Sequence, residues 1–507
     1  MTSEYKKTRL IVKNSIFLYT RMIIVTVITL FTSRVVLREL GFEDYGLYNV
    51  VGGVVTLFAF LRSSMNSSTQ RFLSYEMGKG NYENLRNTFN TCLTAHVLIA
   101  VVLLLLAETI GLWFLNTQIV IPEGREIVAN WIYQFSVISL FVGIISVPYS
   151  ADIVSNEQMG YFAFLGMLNA VLKLVIAYMI VKSPIDRLVF YGFLMMVINV
   201  IDLVLNWTYC HIKFRETHLK FYWDKESFRK VFSFSGWTIW GQLAIVGSNQ
   251  GSNILVNMFF SVTANAAMGI GNQVNHAITG LVSNFQTAFK PQITKSYAEQ
   301  DFRYLNKLVC YAAKISFFLL FLVSLPIILN IEEILRLWLS NVPQYASALC
   351  VIFMLASLCN TLSKPLWTCI FATGNIKRYQ ISVSIIYLFE LVILYLLFSN
   401  GLSLVVGISM KVVLNFIITF VTIYYVSKLA PQINTTVMLR RVIIPLISIS
   451  IIIYIPAFFV IKHSIGLFSQ IACTIILELC AILICYIFGL SKREKRSVVN
   501  LIKKITI

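Results

Sequence analysis

The feature that most limits what this chain can fold into is a succession of apolar runs separated by short polar segments. They fall at 11–37, 47–61, 88–112, 130–150, 161–181, 188–209, 233–258, 264–287, 310–329, 345–365, 380–398, 402–427, 442–461 and 467–489. A helix needs about 20 mostly apolar residues to cross a bilayer. Fourteen such runs therefore predict an all-α polytopic membrane protein with fourteen transmembrane helices. Only 13% of the 507 residues are charged, against about 25% in average proteins. That composition excludes a soluble globular protein and leaves no room for a large soluble domain.

Charge sets the expected orientation. Lys and Arg number 41 against 23 Asp and Glu, a net charge of +18. In a soluble protein this would suggest nucleic acid; here the location of each cation decides. With the N-terminus in the cytoplasm, 29 of the cations fall on cytoplasmic segments and six on the opposite loops. The positive-inside rule then predicts N-in and C-in. The six cations left inside the spans are Arg21, Arg34, Lys173, Lys314, Lys364 and Lys411, and the acids within or near spans are chiefly Glu108, Asp202, Glu390 and Glu478. Nine cysteines lie mostly in apolar runs without a C-x-x-C pair, as small apolar filler does. The first run is too long for a cleavable signal peptide, and no small-residue cleavage site follows it.

The chain also resembles itself. Val147-Pro148-Tyr149-Ser150 followed by Asn156 to Tyr161 matches Lys364-Pro365-Leu366-Trp367 followed by Gly374 to Tyr379, at an offset near 217. Ser74-Tyr75 with Asn81-Tyr82 and Leu85 matches Ser296-Tyr297 with Asp301-Phe302 and Leu305, at an offset of 220 to 222. The offset equals six spans plus loops, and six is even, so the halves should be parallel repeats with a substrate site near the midplane. The expected organisation is a six-helix bundle over 1–210, a cytoplasmic interfacial linker over 211–232, a second six-helix bundle over 233–427, and two extra helices with a basic tail over 428–507.

A charged side chain at the bilayer centre costs about 2.5 to 3.5 kcal/mol on insertion scales, so intramembrane ions face a partner or a wet cavity. Arg34 and Arg38 are one turn apart and share a helix face, presenting a guanidinium pair matched to phosphate oxygens. The competing reading is that Arg38 snorkels to the outer interface. Lys173 follows Asn169, and Lys411 precedes Asn415, each by one turn. An offset of 219 carries Arg34 and Arg38 onto Asn253 and Asn257, which with Asn249 form a polar stripe. Asn272, Gln273 and His276 continue it in the next span. Such stripes suit sugar hydroxyls in a wet lumen, or alternatively amides that hold helices together. Asp202 and Glu390 are candidates for ion coupling, with a static ion pair as the alternative for Asp202. Lys314, Lys364 and Arg21 lie nearer the cytoplasmic ends, where snorkelling is the simpler reading. Catalysis finds no support: no histidine has a metal spacing and no P-loop is present, so no metal, nucleotide or other cofactor is expected.

The exit of the first span, Arg34-Val35-Val36-Leu37-Arg38-Glu39-Leu40-Gly41, runs into Asp44-Tyr45-Gly46-Leu47-Tyr48. With the fourteen-span pattern, this resembles the polysaccharide transporter family, the O-antigen and capsule (Wzx-type) flippases of the superfamily that also holds the MATE exporters. Its R-x-L-G-x-x-x-Y-G-x-Y pattern is matched by Arg38, Leu40, Gly41, Tyr45, Gly46 and Tyr48. The resemblance implies a MATE-like fold and a carrier that moves undecaprenyl-diphosphate-linked oligosaccharide across the bacterial inner membrane by alternating access. It implies a polyprenyl-linked glycan and membrane lipids as partners, with a glycan polymerase and glycosyltransferases nearby, and no nucleic acid. Two other classes compete. A MATE-type drug exporter should carry acids in its lumen, whereas here Arg34 occupies the first span. A membrane-embedded glycan polymerase or ligase should carry a long outer loop, and none is present.

Overall fold

The computed structural model describes residues 3–56, 59–118, 121–218, 224–339, 341–462, 467–491 and 495; part of the expected linker, 219–223, and most of the basic tail lie outside them. Among the described residues the chain is helical and holds no strand. The helices are α1 (Ser3–Thr56), α2 (Ala59–Lys79), α3 (Tyr82–Leu106), α4 (Leu112–Gln118), α5 (Glu126–Ile145), α6 (Val147–Ser155), α7 (Met159–Met179), α8 (Arg187–Lys213) and α9 (Lys225–Phe259). They continue as α10 (Val262–Ala298), α11 (Phe302–Leu329), α12 (Ile331–Trp338), α13 (Ala346–Thr373), α14 (Lys377–Ser399), α15 (Leu404–Leu429), α16 (Thr435–Met438), α17 (Ile444–Lys462) and α18 (Leu467–Ile484).

Among the described residues, eleven helical segments are long and apolar enough to cross a membrane. The regions of α2, α9 and α10 are not among them, although these helices run for 21, 35 and 37 residues. Their serines, threonines, asparagines and glutamines lower the hydropathy without breaking the helix. In α2 the buried side chains Ser64, Met65, Ser68, Thr69 and Leu73 recur at helical spacing and define its packed face. The sequence reading ended the second span at 61 and placed Arg62 and Arg71 in a loop. Both residues instead sit on α2, because a window average hides a polar helix whose packed face is built from small hydroxyl side chains.

The chain divides into two compact units, 1–243 with 294–300 and 244–293 with 301–507. In the first, α1 packs on α7, α5 on α8, and α2 on α6 and α3. Lipid tails are as apolar as leucine, so these contacts depend on close fit more than on exclusion from water. Gly160 and Gly166 of α7 provide it: Phe17 lies 3.5 Å from where a Gly160 Cβ would stand, and the Arg21 side chain occupies the space beside Gly166. Val35, Val36, Leu40, Leu47 and Val51 join Ile132, Tyr133 and Tyr191 in one buried cluster. In the second unit α13 is central, packed on α11 and α15, with α18 on α11 and α14 on α15.

Helix starts repeat along the chain. Asn81 caps α3 through the Asn84 amide at 3.1 Å, and Asp301 caps α11 through the Tyr304 amide at 3.1 Å. Asp186 caps α8 and Ser403 caps α15 in the same way. A side-chain oxygen at N-cap answers amides that the helix itself leaves unbonded. The Asn81 and Asp301 positions are those paired by the internal sequence repeat.

Candidate functional site

In the first unit the fold turns Arg34 outward. Val35 and Val36 are buried beside it, so the helix phase leaves Arg34 exposed, with no polar partner among the described residues. Arg38, one turn on, is 70% exposed and bonded to Glu39 at 2.7 Å. The two guanidiniums therefore differ: one is unpartnered, the other is held by its neighbour.

The R-x-L-G-x-x-x-Y-G-x-Y segment forms an elbow. Gly41 has φ of 77°, a left-handed conformation open to glycine without the Cβ penalty, and the helix resumes beyond it. Asp44 and Asp186 both bond the Arg125 guanidinium, Arg187 donates to the Glu39 carbonyl at 3.1 Å, and Tyr48 meets Tyr191 edge-on with centroids 4.9 Å apart. Partial burial by itself would raise the Asp186 carboxyl, but Arg125 and the Val189 and Leu188 amides outweigh it and hold the group below its usual range. These contacts tie the elbow to the start of α8 and to the segment before α5.

Lys173 on α7 is exposed, and both Asp202 of α8 and Arg62 of α2 are close enough to act on its charge. Asn169, one turn earlier, donates to the Asp202 carboxylate at 2.9 Å. Arg62 is exposed, without a polar partner among the described residues, and its Nη1 lies 3.3 Å from where a Gly143 Cβ would stand. Gly143 thus leaves room for the guanidinium against α5. Arg21 stacks over Phe162 at 4.6 Å, and its Nε is buried without a hydrogen bond. Elsewhere in this unit Glu157 pairs with Lys295 at 2.7 Å, and the fully buried Asp152 accepts from Asn156 at 3.2 Å.

In the second unit Lys411 and Glu390 meet at 2.5 Å with their side chains 12% and 4% exposed. Ser248 donates to the other Glu390 oxygen at 2.8 Å, and Ser252 lies 3.5 Å from the Lys411 ammonium. One face of α9 thus serves a buried ion pair through Ser248 and Ser252. The adjoining face carries the amides, with Asn249 and Asn257 exposed and Asn253 half-buried. On α10, Asn272 is half-buried while Gln273 and His276 are exposed. Asn275 accepts from Ser357 of α13 at 2.8 Å.

The fold thus joins Asp202 with the Lys173 region and Glu390 with Lys411, and lines the amides along α9. Arg34 and Arg38 end in different surroundings. Sequence reasoning missed Arg62, whose signal was the helical spacing of Ser64, Met65, Ser68 and Thr69 after it.

The family model described as "Polysaccharide biosynthesis protein" matches residues 11–297. The chain belongs to that family. None of the curated proteins matches it. Solved structures with the same fold include a MATE transporter in complex with MaL6, at 14% identity and a TM-score of 0.69, over 85% of this chain and 99% of the other. A multidrug resistance MATE family transporter of the MOP superfamily in the outward-facing conformation matches at 14% identity and 0.70, over 84% and 96%. A MOP superfamily transporter from Pyrococcus furiosus, reported with a binding pocket of reverse polarity suggesting a different function, matches at 15% and 0.68, over 84% and 96%. The family member described here is therefore a multi-pass membrane protein with a MATE-like fold, and the solved structures that share this fold are described as transporters.

Proposed function

We propose that this transporter carries undecaprenyl-diphosphate-linked oligosaccharide from the cytoplasmic to the periplasmic leaflet of the bacterial inner membrane by alternating access, serving O-antigen, capsule or other surface polysaccharide synthesis. The observation that carries the reading is that Arg34 on α1 and Arg62 on α2 are exposed with no carboxylate partner among the described residues, Arg62 lying near Lys173, in a family of polysaccharide biosynthesis. Unanswered guanidiniums on helices suit a diphosphate, which accepts two parallel hydrogen bonds from each fork. A cationic drug would be repelled by the same groups.

In this reading the diphosphate is met by Arg34, Arg62 and Lys173. Arg38 and Lys411 join after release from Glu39 and Glu390. Protonation of Glu390 would free Lys411, which gives the pair its role as a coupling site; Asp202 is the corresponding acid beside Lys173. The amides Asn249, Asn253, Asn257, Asn272, Gln273 and His276 answer sugar hydroxyls. The two helical halves are 1–210 and 233–427, joined by 211–232 and followed by 428–507, with both termini cytoplasmic. Glycosyltransferases and a glycan polymerase would supply and consume the substrate.

The test is surface-glycan display in cells that depend on this gene copy. Arg34→Ala combined with Lys173→Ala should abolish display while the protein stays in the membrane at normal level. Normal display from a well-expressed double variant would remove both residues from the site and the reading with them.

A further inference from the structure

α11 and α13 are each long and apolar enough to cross a membrane, and α12 is the eight-residue helix between them. The break after α11 is fixed by Asn330, whose side-chain amide donates to the Pro326 carbonyl and to the Thr474 hydroxyl of α18, both at 2.9 Å. α12 therefore starts where one span ends, at the level where the chain turns back toward the next.

Its residues divide by helical spacing into two arcs. Ile331 and Leu335 are buried. Ile334, Leu337 and Trp338 extend the same apolar arc yet are exposed, Leu337 at 86% and Trp338 at 49%. Glu332, Glu333 and Arg336 occupy the other arc. Glu333 holds Arg336 at 3.4 Å, while Glu332 is exposed without a hydrogen bond or ion pair among the described residues. The first half has a counterpart: α4, which continues the span begun by α3, exposes Trp113 and Phe114 beside the buried Leu115. Tryptophans at the ends of spans mark the headgroup level of a bilayer.

Three exposed apolar side chains on so short a helix fall well short of the about 800 Å² per partner that a stable protein interface buries. Lipid covers such a face when the helix lies beside a span. Interfacial helices drawn to anionic lipid carry Lys and Arg on the polar face, whereas two of the three charges on this face are acidic. We propose that α12 is an interfacial helix seated in the headgroup region of the outer leaflet through Ile334, Leu337 and Trp338, with Glu332 turned to the ammonium groups of a zwitterionic phospholipid. This goes beyond the carrier reading, and only the choice of leaflet rests on the topology given there.

The full chain, reconstituted in vesicles rich in phosphatidylethanolamine, carries a nitroxide at Leu337→Cys or at Glu332→Cys in a cysteine-free background. The Leu337 label should be reached by oxygen and shielded from a water-soluble nickel chelate, and the Glu332 label should show the reverse. Exchanging phosphatidylethanolamine for phosphatidylglycerol at low salt should raise chelate access at Leu337, because the anionic surface repels the acidic arc; added salt should restore the shielding, and Glu332→Gln should reduce the response. Equal chelate access at the two labels, or no response to phosphatidylglycerol, would overturn the proposal. Dipolar broadening between Leu337 labels would overturn it in favour of a second copy of the chain. Labelling of Glu332→Cys by an impermeant maleimide from the cytoplasmic side alone would overturn the leaflet and the proposed topology together, while the depth pattern tests the lipid seat separately. Native Trp338 gives a second measurement that needs no cysteine replacement: the fluorescence lost in Trp338→Phe should be quenched by lipid brominated near the headgroup and spared by iodide, and quenching by iodide instead would overturn the lipid seat.

Discussion

Replacing Glu390 with glutamine leaves Lys411 charged in a site where its side chain is 12% exposed and its next polar neighbour is Ser252 at 3.5 Å. The lysine then loses a 2.5 Å carboxylate contact, and Ser248 loses its ionised acceptor. Breaking a buried pair by removing one partner costs about 3–5 kcal/mol, because the remaining charge stays desolvated. Replacing both with apolar residues removes both desolvation costs and should be nearly neutral, or stabilising by about 1–4 kcal/mol. Glu390→Gln, Lys411→Met and the double variant Glu390→Leu/Lys411→Met form a series read by denaturant unfolding in mixed micelles. Each single variant should lose several kcal/mol and the double variant should recover most of it, leaving a large coupling term. Losses that simply add, or a Glu390→Gln variant within about 1 kcal/mol of the parent, would show that water reaches Lys411 and that the pair is not a closed unit. Transport should fail in the double variant even where stability recovers, since Lys411 and Glu390 are then absent from the carrier.

Three further outcomes follow from other parts of the structure. A Cβ on Gly78 would stand 2.6 Å from the Lys295 carbonyl oxygen and 2.8 Å from the Ala298 Cβ; these are backbone and helix-bound atoms, so Gly78→Val should destabilise by about 1–3 kcal/mol, visible as a lower melting temperature. The stabilising effect of Arg125 on Asp186 should be complete above the ordinary aspartate value of about 3.9 and fade as pH falls through the lower folded value. The difference in melting temperature between the parent and Arg125→Met should therefore be flat near neutrality and shrink only in strong acid, and a difference that instead grew on acidification would contradict the sign. A single cysteine at Lys213 in a cysteine-free background should label from the cytoplasmic side, and labelling from outside alone would reverse the topology.

The all-helical class, the MATE-like fold and the polysaccharide biosynthesis family were legible in the sequence because hydropathy and helix length act over whole spans. Individual side chains were less so. Arg34 could be placed as a lumen candidate from its depth in a run, but the bond from Arg38 to Glu39 depends on rotamers that no spacing rule reports. Lys411 and Glu390 were separately visible, while their meeting at 2.5 Å depends on how α14 and α15 turn against each other. Arg62 was lost because α2 packs through serine and threonine, residues that a hydropathy window counts as loop.

The polar character of α2, α9 and α10 has a consequence for how the protein is made. A segment leaves the translocon for lipid according to its own transfer free energy, and each asparagine or arginine weighs against release. Eleven helical segments among the described residues meet the apolar standard unaided, whereas these three must wait for neighbours that can accept their amides and hydroxyls. Biogenesis should therefore run in two stages, with the greasy frame settling first and the polar helices recruited into it. Truncations that remove α3 or α11 should strand α2 and α10 at the translocon and send the chain to quality control, even though the deleted helices bear none of the proposed site residues.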